Sequence, residues 1–174
     1  MRKYELPHSV HAIWRDRRFL LCLCWCVGLL LGTVFAVGAD ASFLSLMRQA
    51  AVSRVSIVNL LTAVLLPFLF SALAVYMGRP RALYVICLCK ALCFAFCMVL
   101  TARSFGAAGW LIQPLLHFSD LLLAPVLIWF SVRHIGGGSG SVQKDLGFCA
   151  AVIAVVAMLD AFWVSPFLAE LIIS

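Results

Sequence analysis

The sequence predicts an all-α membrane protein, a single integral membrane domain over residues 1–174 built as a bundle of five transmembrane helices. Hydrophobic residues make up 65% of the chain and charged residues only 11%, whereas a soluble domain averages about 45–50% and about 25%. The apolar residues form runs of membrane-spanning length, and basic residues flank those runs unequally on the two sides. A water-soluble fold of this length has too few charges to cover so much apolar surface.

Five apolar segments are long enough to cross a bilayer, which takes about 20 mainly apolar residues in a helix. They are residues 19–38, 57–77, 83–102, 110–132 and 148–170. The sequence Gly78-Arg79-Pro80-Arg81 predicts a tight turn after the second span, and the Gly- and Ser-rich residues 136–141 predict a flexible linker before the fifth. Pro114 and Pro125 predict that the helix of the fourth span is kinked or broken.

The distribution of basic residues predicts the orientation. With five spans, nine of the Lys and Arg residues fall on the side of the N-terminus and three on the opposite side. Because the basic side of a membrane protein faces the cytoplasm, we expect the N-terminus in the cytoplasm and the C-terminus outside. Ala39-Asp40-Ala41 resembles a signal-peptide cleavage site, but the apolar run from Phe19 exceeds the roughly 7–15 residues of the hydrophobic region of a signal peptide. The length favours a retained first helix.

Several function classes are disfavoured. The sequence contains no H-E-x-x-H, G-x-S-x-G or phosphate-binding-loop motif, so we expect no enzyme and no cofactor. The net charge of +6 comes from basic residues that stand singly or in small groups beside apolar segments, which fits a lipid bilayer and not nucleic acid. The eight cysteines lie within apolar runs and are expected to act as small hydrophobes, not as metal ligands.

Each ionisable residue inside a span raises the free energy of membrane insertion by about 2.5–3.5 kcal/mol on insertion scales, so its presence needs an explanation. Lys90, His117, Asp120 and Asp160 are such residues, and Gln113 extends them into a stripe at positions i, i+4 and i+7 of the fourth span. We expect an intramembrane ion pair of Lys90 with Asp120, or alternatively with Asp160. The cluster is either a proton, ion or ligand site, or a neutralised pair that fixes helix register. One basic and two acidic residues favour the structural role.

Two further features concern packing and partner contacts. Gly28 and Gly32 form a G-x-x-x-G pattern on the first span, which permits close helix approach. Apolar residues recur at helical spacing in the outer loop, residues 39–56, and predict either an amphipathic helix resting on the protein's own outer rim or a partner-binding element. The candidate partner contacts are Phe43, Leu46, Met47 and Pro166.

The end of the chain carries a motif with family resemblance. The segment Asp160-Ala161-Phe162-Trp163-Val164-Ser165-Pro166 is similar to the closing pattern of the stage II sporulation protein M family of bacterial membrane proteins. The opening G-x-x-x-G of the first span, then Gly78-Arg79-Pro80, Lys90 and Phe105-Gly106-Ala107-Ala108-Gly109 follow in the order of that family, over about residues 12–172. The chain departs from the family pattern at Ala91, where a glycine is frequent, and at residues 117–120, where Pro and Asn are usual.

The resemblance implies a non-enzymatic scaffold in the bacterial inner membrane. Such a protein holds peptidoglycan hydrolases, the stage II sporulation proteins D and P, at the septal membrane of a sporulating cell. There the septal wall is thinned and the forespore is engulfed. The residues leave one alternative open, a small transporter or the substrate-binding subunit of one, centred on the polar stripe of the fourth span.

Overall fold

The computed structural model describes residues 16–46, 57–135 and 141–167, and all regular elements within these ranges are helices, with no strand. In chain order they are α1 (Arg17–Val37), α2 (Ile57–Tyr76), α3 (Ala82–Phe105), α4 (Ala107–Leu116), α5 (Phe118–Ile135) and α6 (Val142–Leu159). A five-residue π-helical turn, Asp160–Val164, continues α6. Residues 41–46 are also helical.

Four helices in the described part of the chain are long and apolar enough to cross a membrane. They are Arg17–Val37, Ala82–Phe105, Phe118–Ile135 and Val142–Phe167. The helix α2 lies at the second predicted span, and its stretch Leu65–Tyr76 is apolar but shorter than these four. The architecture is therefore compatible with a multi-pass membrane protein.

The most extensive helix contact joins α1 to α3, and small residues make it possible. A Cβ atom added at Gly28 would lie 2.5 Å from the carbonyl oxygen of Leu88 and 2.8 Å from the Cβ atom of Ala91. At Gly32 an added Cβ atom would collide with the carbonyl oxygen of Leu92. Successive residues of α1 thus meet successive residues of α3, so the two helices run parallel. The two glycines pack helices within this chain.

Side-chain hydrogen bonds connect helix ends at both ends of the bundle. At one end Arg17 Nη1 donates to the carbonyl oxygen of Ile135 at 3.0 Å, and the Tyr84 hydroxyl donates to the carbonyl oxygen of Arg17 at 3.4 Å. These contacts bring together the starts of α1 and α3 and the end of α5. At the other end, Arg103 Nη1 donates to the carbonyl oxygens of Ala36, Val37 and Ala39 at 2.6, 2.9 and 3.1 Å. Arg103 therefore caps the C-terminal end of α1, whose carbonyls have no partners within the helix.

The helix of the fourth predicted span, residues 110–132, is broken at His117, in agreement with the kinked or broken helix that Pro114 and Pro125 predict. The backbone of His117, with φ −110° and ψ 19°, leaves the α-helical region and separates α4 from α5. Pro114, which is three residues earlier, has no N–H to donate to the preceding turn, so the local helix is already weakened. The N–H of His117 still donates to the carbonyl oxygen of Gln113 at 3.0 Å, and its own carbonyl accepts from Leu121 at 2.9 Å.

The last helix also differs from the prediction of residues 148–170. It begins at Val142, because Ser141 caps it by accepting a hydrogen bond from the N–H of Lys144 at 3.4 Å. Asp145 in the first turn lies near the positive end of the helix dipole. Ser141, the last residue of the predicted linker, is therefore the N-cap of this helix. Near the other end, the π-helical turn at Asp160–Val164 interrupts the regular helix.

Candidate functional site

A set of polar side chains from three helices, the helix break at His117 and the π-helical turn makes contacts between the helices. We call this set the polar centre. Its members are Lys90 and Thr101 on α3, Gln113 on α4, His117 at the break, Ser119 and Asp120 on α5, and Asp160 on the π-helical turn.

An ion pair joins α3 to α5 in the polar centre. Lys90 Nζ lies 2.5 Å from Asp120 Oδ1, and the two side chains are 14% and 17% exposed. The structure thus pairs Lys90 with Asp120, one of the two partners that the sequence allowed. Asp120 stands in the first turn of α5, where the positive end of the helix dipole stabilises a carboxylate. The break at His117 creates this helix start, so the broken helix itself helps to hold the negative charge.

Asp160 has a different partner. The Ser119 hydroxyl donates a short hydrogen bond to Asp160 Oδ2, which links the start of α5 to the π-helical turn. Both residues are buried, at 5% and 8% exposure. A buried carboxylate needs hydrogen-bond donors to offset the loss of water, and the serine hydroxyl is one of them.

His117 is buried at the break, with a side chain that is 1% exposed. Its Nε2 atom lies 3.4 Å from Thr101 Oγ1, and the hydroxyl of Thr101 donates to the carbonyl oxygen of Cys97 at 2.9 Å. Its Nδ1 atom lies 3.9 Å from Asp120 Oδ2 and makes no hydrogen bond. The ring of Phe94 packs against the imidazole edge-on, with the centroids 6.0 Å apart.

Gln113 connects the short helix α4 to α3. Its Nε2 atom donates to the carbonyl oxygen of Met98 at 2.9 Å, and the residue is buried. The side chain of Gln113 and close backbone packing therefore attach the short helix α4 to α3. At Gly109 an added Cβ atom would lie 3.0 Å from the backbone of Thr101 and Ala102.

Sequence reasoning named five members of the polar centre and missed Thr101 and Ser119. Hydroxyl residues in apolar helices commonly bond to their own backbone one turn earlier, as Thr101 does, so they give little signal of a further role. Ser119 stands between His117 and Asp120 in the sequence. Its position between two polar stripe residues was the one available hint.

The predicted partner contacts lie elsewhere. Phe43 packs on Phe96 of α3 with ring centroids 6.0 Å apart, and Leu46 is 60% exposed. Met47 falls outside the described residues. Pro166 is exposed just beyond the π-helical turn, where Phe162 and Trp163 are about three-quarters exposed.

A second polar cluster, which sequence reasoning missed, joins α5 to α6 on either side of residues 136–140. Asp145 Oδ2 lies 2.7 Å from Arg133 Nε and 3.1 Å from His134 Nε2. The guanidinium of Arg133 also lies 5.4 Å from the ring centroid of Trp129, a cation–π contact. With the bond from Arg17 to Ile135, this cluster connects α5 to α1 and to α6 at one end of the bundle.

Neither polar cluster has the composition of a metal site. Within the described ranges no three His, Cys, Asp or Glu side chains come together at ligand distances. The cysteines there are free; Cys87 and Cys149 are buried, while Cys22, Cys26, Cys89 and Cys93 lie on the surface of the bundle. Cys87 packs against Ser131, with Sγ and Oγ 3.4 Å apart.

In comparisons with known proteins, no family model, no curated protein and no solved structure matches this chain.

Proposed function

We propose that this chain is a five-span protein of the bacterial cytoplasmic membrane that acts without catalysis as a scaffold. Its N-terminus lies in the cytoplasm and its C-terminus outside. In this role, which is that of the stage II sporulation protein M family it resembles, it holds membrane-anchored peptidoglycan hydrolases, such as the stage II sporulation proteins D and P, at the septal membrane.

The parallel packing of α1 and α3 supports the number of spans. Because α1 and α3 run in the same direction through the bilayer, the chain between them has to cross the bilayer in the other direction. The helix α2 has 20 residues, which at 1.5 Å per residue is about 30 Å, the thickness of the hydrocarbon core. It also contacts α3, α5 and α6, so it lies within the bundle.

The positions of the basic residues support the orientation. The starts of α1 and α3 and the end of α5 lie together at one end of the bundle. Arg17, Arg18, Arg79, Arg81 and Arg133 all lie close in sequence to these helix ends. Such a basic end faces the cytoplasm in membrane proteins.

One observation carries the choice of a scaffold over a transporter. The charged side chains of the polar centre bond to groups of the protein itself, most clearly in the pair of Lys90 with Asp120. Charges used in this way fix the register of α3 against α5 and leave little binding capacity for a hydrophilic solute. Partner contacts then fall to exposed apolar residues outside the centre, including Phe43, Leu46 and Trp163.

A transporter, or the substrate-binding subunit of one, is the second candidate. The specific observation in its favour is that a broken helix and a π-helical turn converge on the polar centre. Helix breaks at the bilayer midplane form the solute sites of many transporters, and π-helical turns are frequent at functional sites.

Site-specific photo-crosslinking in the native membrane tests the scaffold. A photo-reactive residue at Leu46 is expected to capture peptidoglycan hydrolases, identified by mass spectrometry. The matched control is the same residue at Leu30, which is 67% exposed on α1 and is expected to face lipid. Capture of ATP-binding or energising transporter subunits, or equal capture of hydrolases at both positions, contradicts the scaffold.

Two substitutions in the polar centre separate the candidates. A transporter carrying Asp120→Asn or His117→Ala loses uptake while the protein still accumulates in the membrane. A scaffold with the same substitutions keeps its partners as long as it accumulates. Replacement of Phe43 and Leu46 by serine should cost a scaffold its partners and should leave the uptake of a transporter unchanged. The reason is that it removes exposed apolar contacts and leaves the polar centre intact.

A further inference from the structure

We propose that His117 and Asp120 form a binding site for one proton, at the break between α4 and α5. This inference goes beyond the proposed function and does not depend on it. It rests on which nitrogen of the buried imidazole carries a hydrogen and on the atom that faces the other nitrogen.

Thr101 determines the neutral form of the imidazole. A threonine hydroxyl has one proton to donate, and Thr101 gives that proton to the carbonyl oxygen of Cys97. Towards His117 Nε2, 3.4 Å away, the hydroxyl oxygen can therefore only accept. The neutral imidazole then carries its hydrogen on Nε2, and its lone pair is on Nδ1.

The lone pair on Nδ1 faces an oxygen that repels it. Nδ1 is fully buried, makes no hydrogen bond, and lies 3.9 Å from Asp120 Oδ2. The ammonium of Lys90 is bonded to the other carboxylate oxygen of Asp120, Oδ1. It therefore does not lie between Nδ1 and Oδ2. Two electron-rich atoms are thus side by side without a hydrogen between them. A proton on Nδ1 converts this repulsion into a charge-assisted hydrogen bond once the two atoms approach by about 1 Å.

The carboxylate of Asp120 is the charged group that favours a proton on Nδ1. Lys90 on α3 and Asp120 on α5 form the ion pair beside the imidazole, and Asp160 on the π-helical turn is bonded to Ser119. Among the described residues, Arg103 of α3 is bonded to the end of α1, Arg133 and His134 of α5 lie with Asp145 of α6 in the second polar cluster, and Lys144 lies in the first turn of α6. Residues 19–37, α2 and α4 contain no charged residue.

The position of the site gives proton uptake a structural consequence. The proton comes from water and forms one N–H bond at Nδ1, and no other bond is broken. The imidazolium then draws Asp120 towards the break. Because Asp120 also holds Lys90, uptake changes the contact between α5 and α3 while α4 stays attached through Gln113.

Nitrogen NMR of the full chain with ¹⁵N-labelled histidine, in lipid nanodiscs, tests the site. The His117 signal is assigned by its loss in His117→Gln. His134, the other buried histidine beside a carboxylate, is the matched control through His134→Gln. At about pH 8 we expect the hydrogen of His117 on Nε2, and at about pH 5 the imidazolium. In Asp120→Asn the ratio of imidazolium to neutral imidazole at about pH 5 is expected to fall at least about tenfold, and in Asp160→Asn the imidazolium is expected to persist.

Three results overturn the proposal: a neutral His117 throughout this pH range, a hydrogen on Nδ1 at about pH 8, or an imidazolium at about pH 5 that survives in Asp120→Asn. If Asp120→Asn does not fold, Lys90→Met with Asp120→Asn removes both charges together and tests the same expectation. Thr101→Val adds a readout without changing any charge. It removes the acceptor for Nε2–H, so the neutral form should lose its preference for a hydrogen on that nitrogen.

Discussion

Replacement of Gly28 by alanine tests whether close approach of α1 to α3 holds the bundle together. The added Cβ atom would lie 2.5 Å from the carbonyl oxygen of Leu88, and ordinary contact begins at 3.4 Å, so the helices must separate by about 0.9 Å. A gap of about 0.5–1 Å forfeits a quarter to a half of the dispersion energy of the atoms on either side. Because this is the most extensive helix contact, we expect Gly28→Ala to lower the free energy of unfolding by about 1–3 kcal/mol.

The chain offers a matched control for this change. Gly147 lies within α6 and has nothing within 4 Å of an added Cβ atom. Alanine is the better helix former by about 0.5–1 kcal/mol, so Gly147→Ala should leave stability unchanged or raise it. Thermal unfolding of both variants in the same detergent, followed by far-UV circular dichroism, compares them directly. Equal unfolding temperatures for Gly28→Ala, Gly147→Ala and the natural chain would refute the reasoning.

Three further predictions concern polar contacts. Lys90→Ala and Asp120→Ala should each destabilise the fold by about 3 kcal/mol or more, because each leaves a buried charge without its partner. The double variant should be tolerated better than either, measured as the amount of folded protein in the membrane; equal damage from all three variants contradicts the pairing. Arg103→Ala should cost about 1.5–3 kcal/mol by detergent unfolding, since it removes charged hydrogen bonds to the end of α1, and Arg103→Lys should restore part of the loss. The backbone N–H of Phe43 and a neighbouring serine hydroxyl bond to the Asp40 carboxylate and hold its pKa below the ordinary value. Its stabilisation of residues 41–46 should be complete above the unfolded-state pKa and be lost as the pH falls through the folded-state pKa. A carboxyl NMR titration checks this, and an unshifted Asp40 contradicts it.

Much of the helical architecture is predictable because it depends on local properties. The hydrophobic composition and the lengths of the apolar runs reflect the cost of leaving backbone groups without hydrogen bonds in lipid. Because this free-energy cost applies to every residue in the lipid, the length of an apolar run predicts the length of the helix. The bounds of α1, α2 and α3 fall within three residues of the predicted ones. Gly28 and Gly32 likewise carry their own signal, since a missing Cβ atom permits close approach whichever helix is the neighbour.

The candidate site is predictable only in part. The cost of ionisable groups in a bilayer identifies Lys90, His117, Asp120 and Asp160 from the sequence alone. The sequence does not show which of these residues pair, because Asp120 and Asp160 are expected at a similar depth in the membrane and either could reach Lys90. Only the packing of α3 against α5 selects Asp120, and the hydroxyl of Ser119 then serves Asp160.

Tertiary structure alone decided which residue breaks the helix and which polar side chains meet in the two clusters. Two prolines indicated a weak helix, but the exact break at His117 depends on the contacts of α4 with α3 on one side and of α5 with α6 on the other. The contact of His134 with Asp145 joins residues on either side of the linker, and no local pattern specifies it. The sequence by itself therefore determined that this chain is helical and apolar enough for a membrane. Which buried charges meet was decided by helix packing, because in a low-dielectric interior the energy of a charge depends on its immediate neighbours.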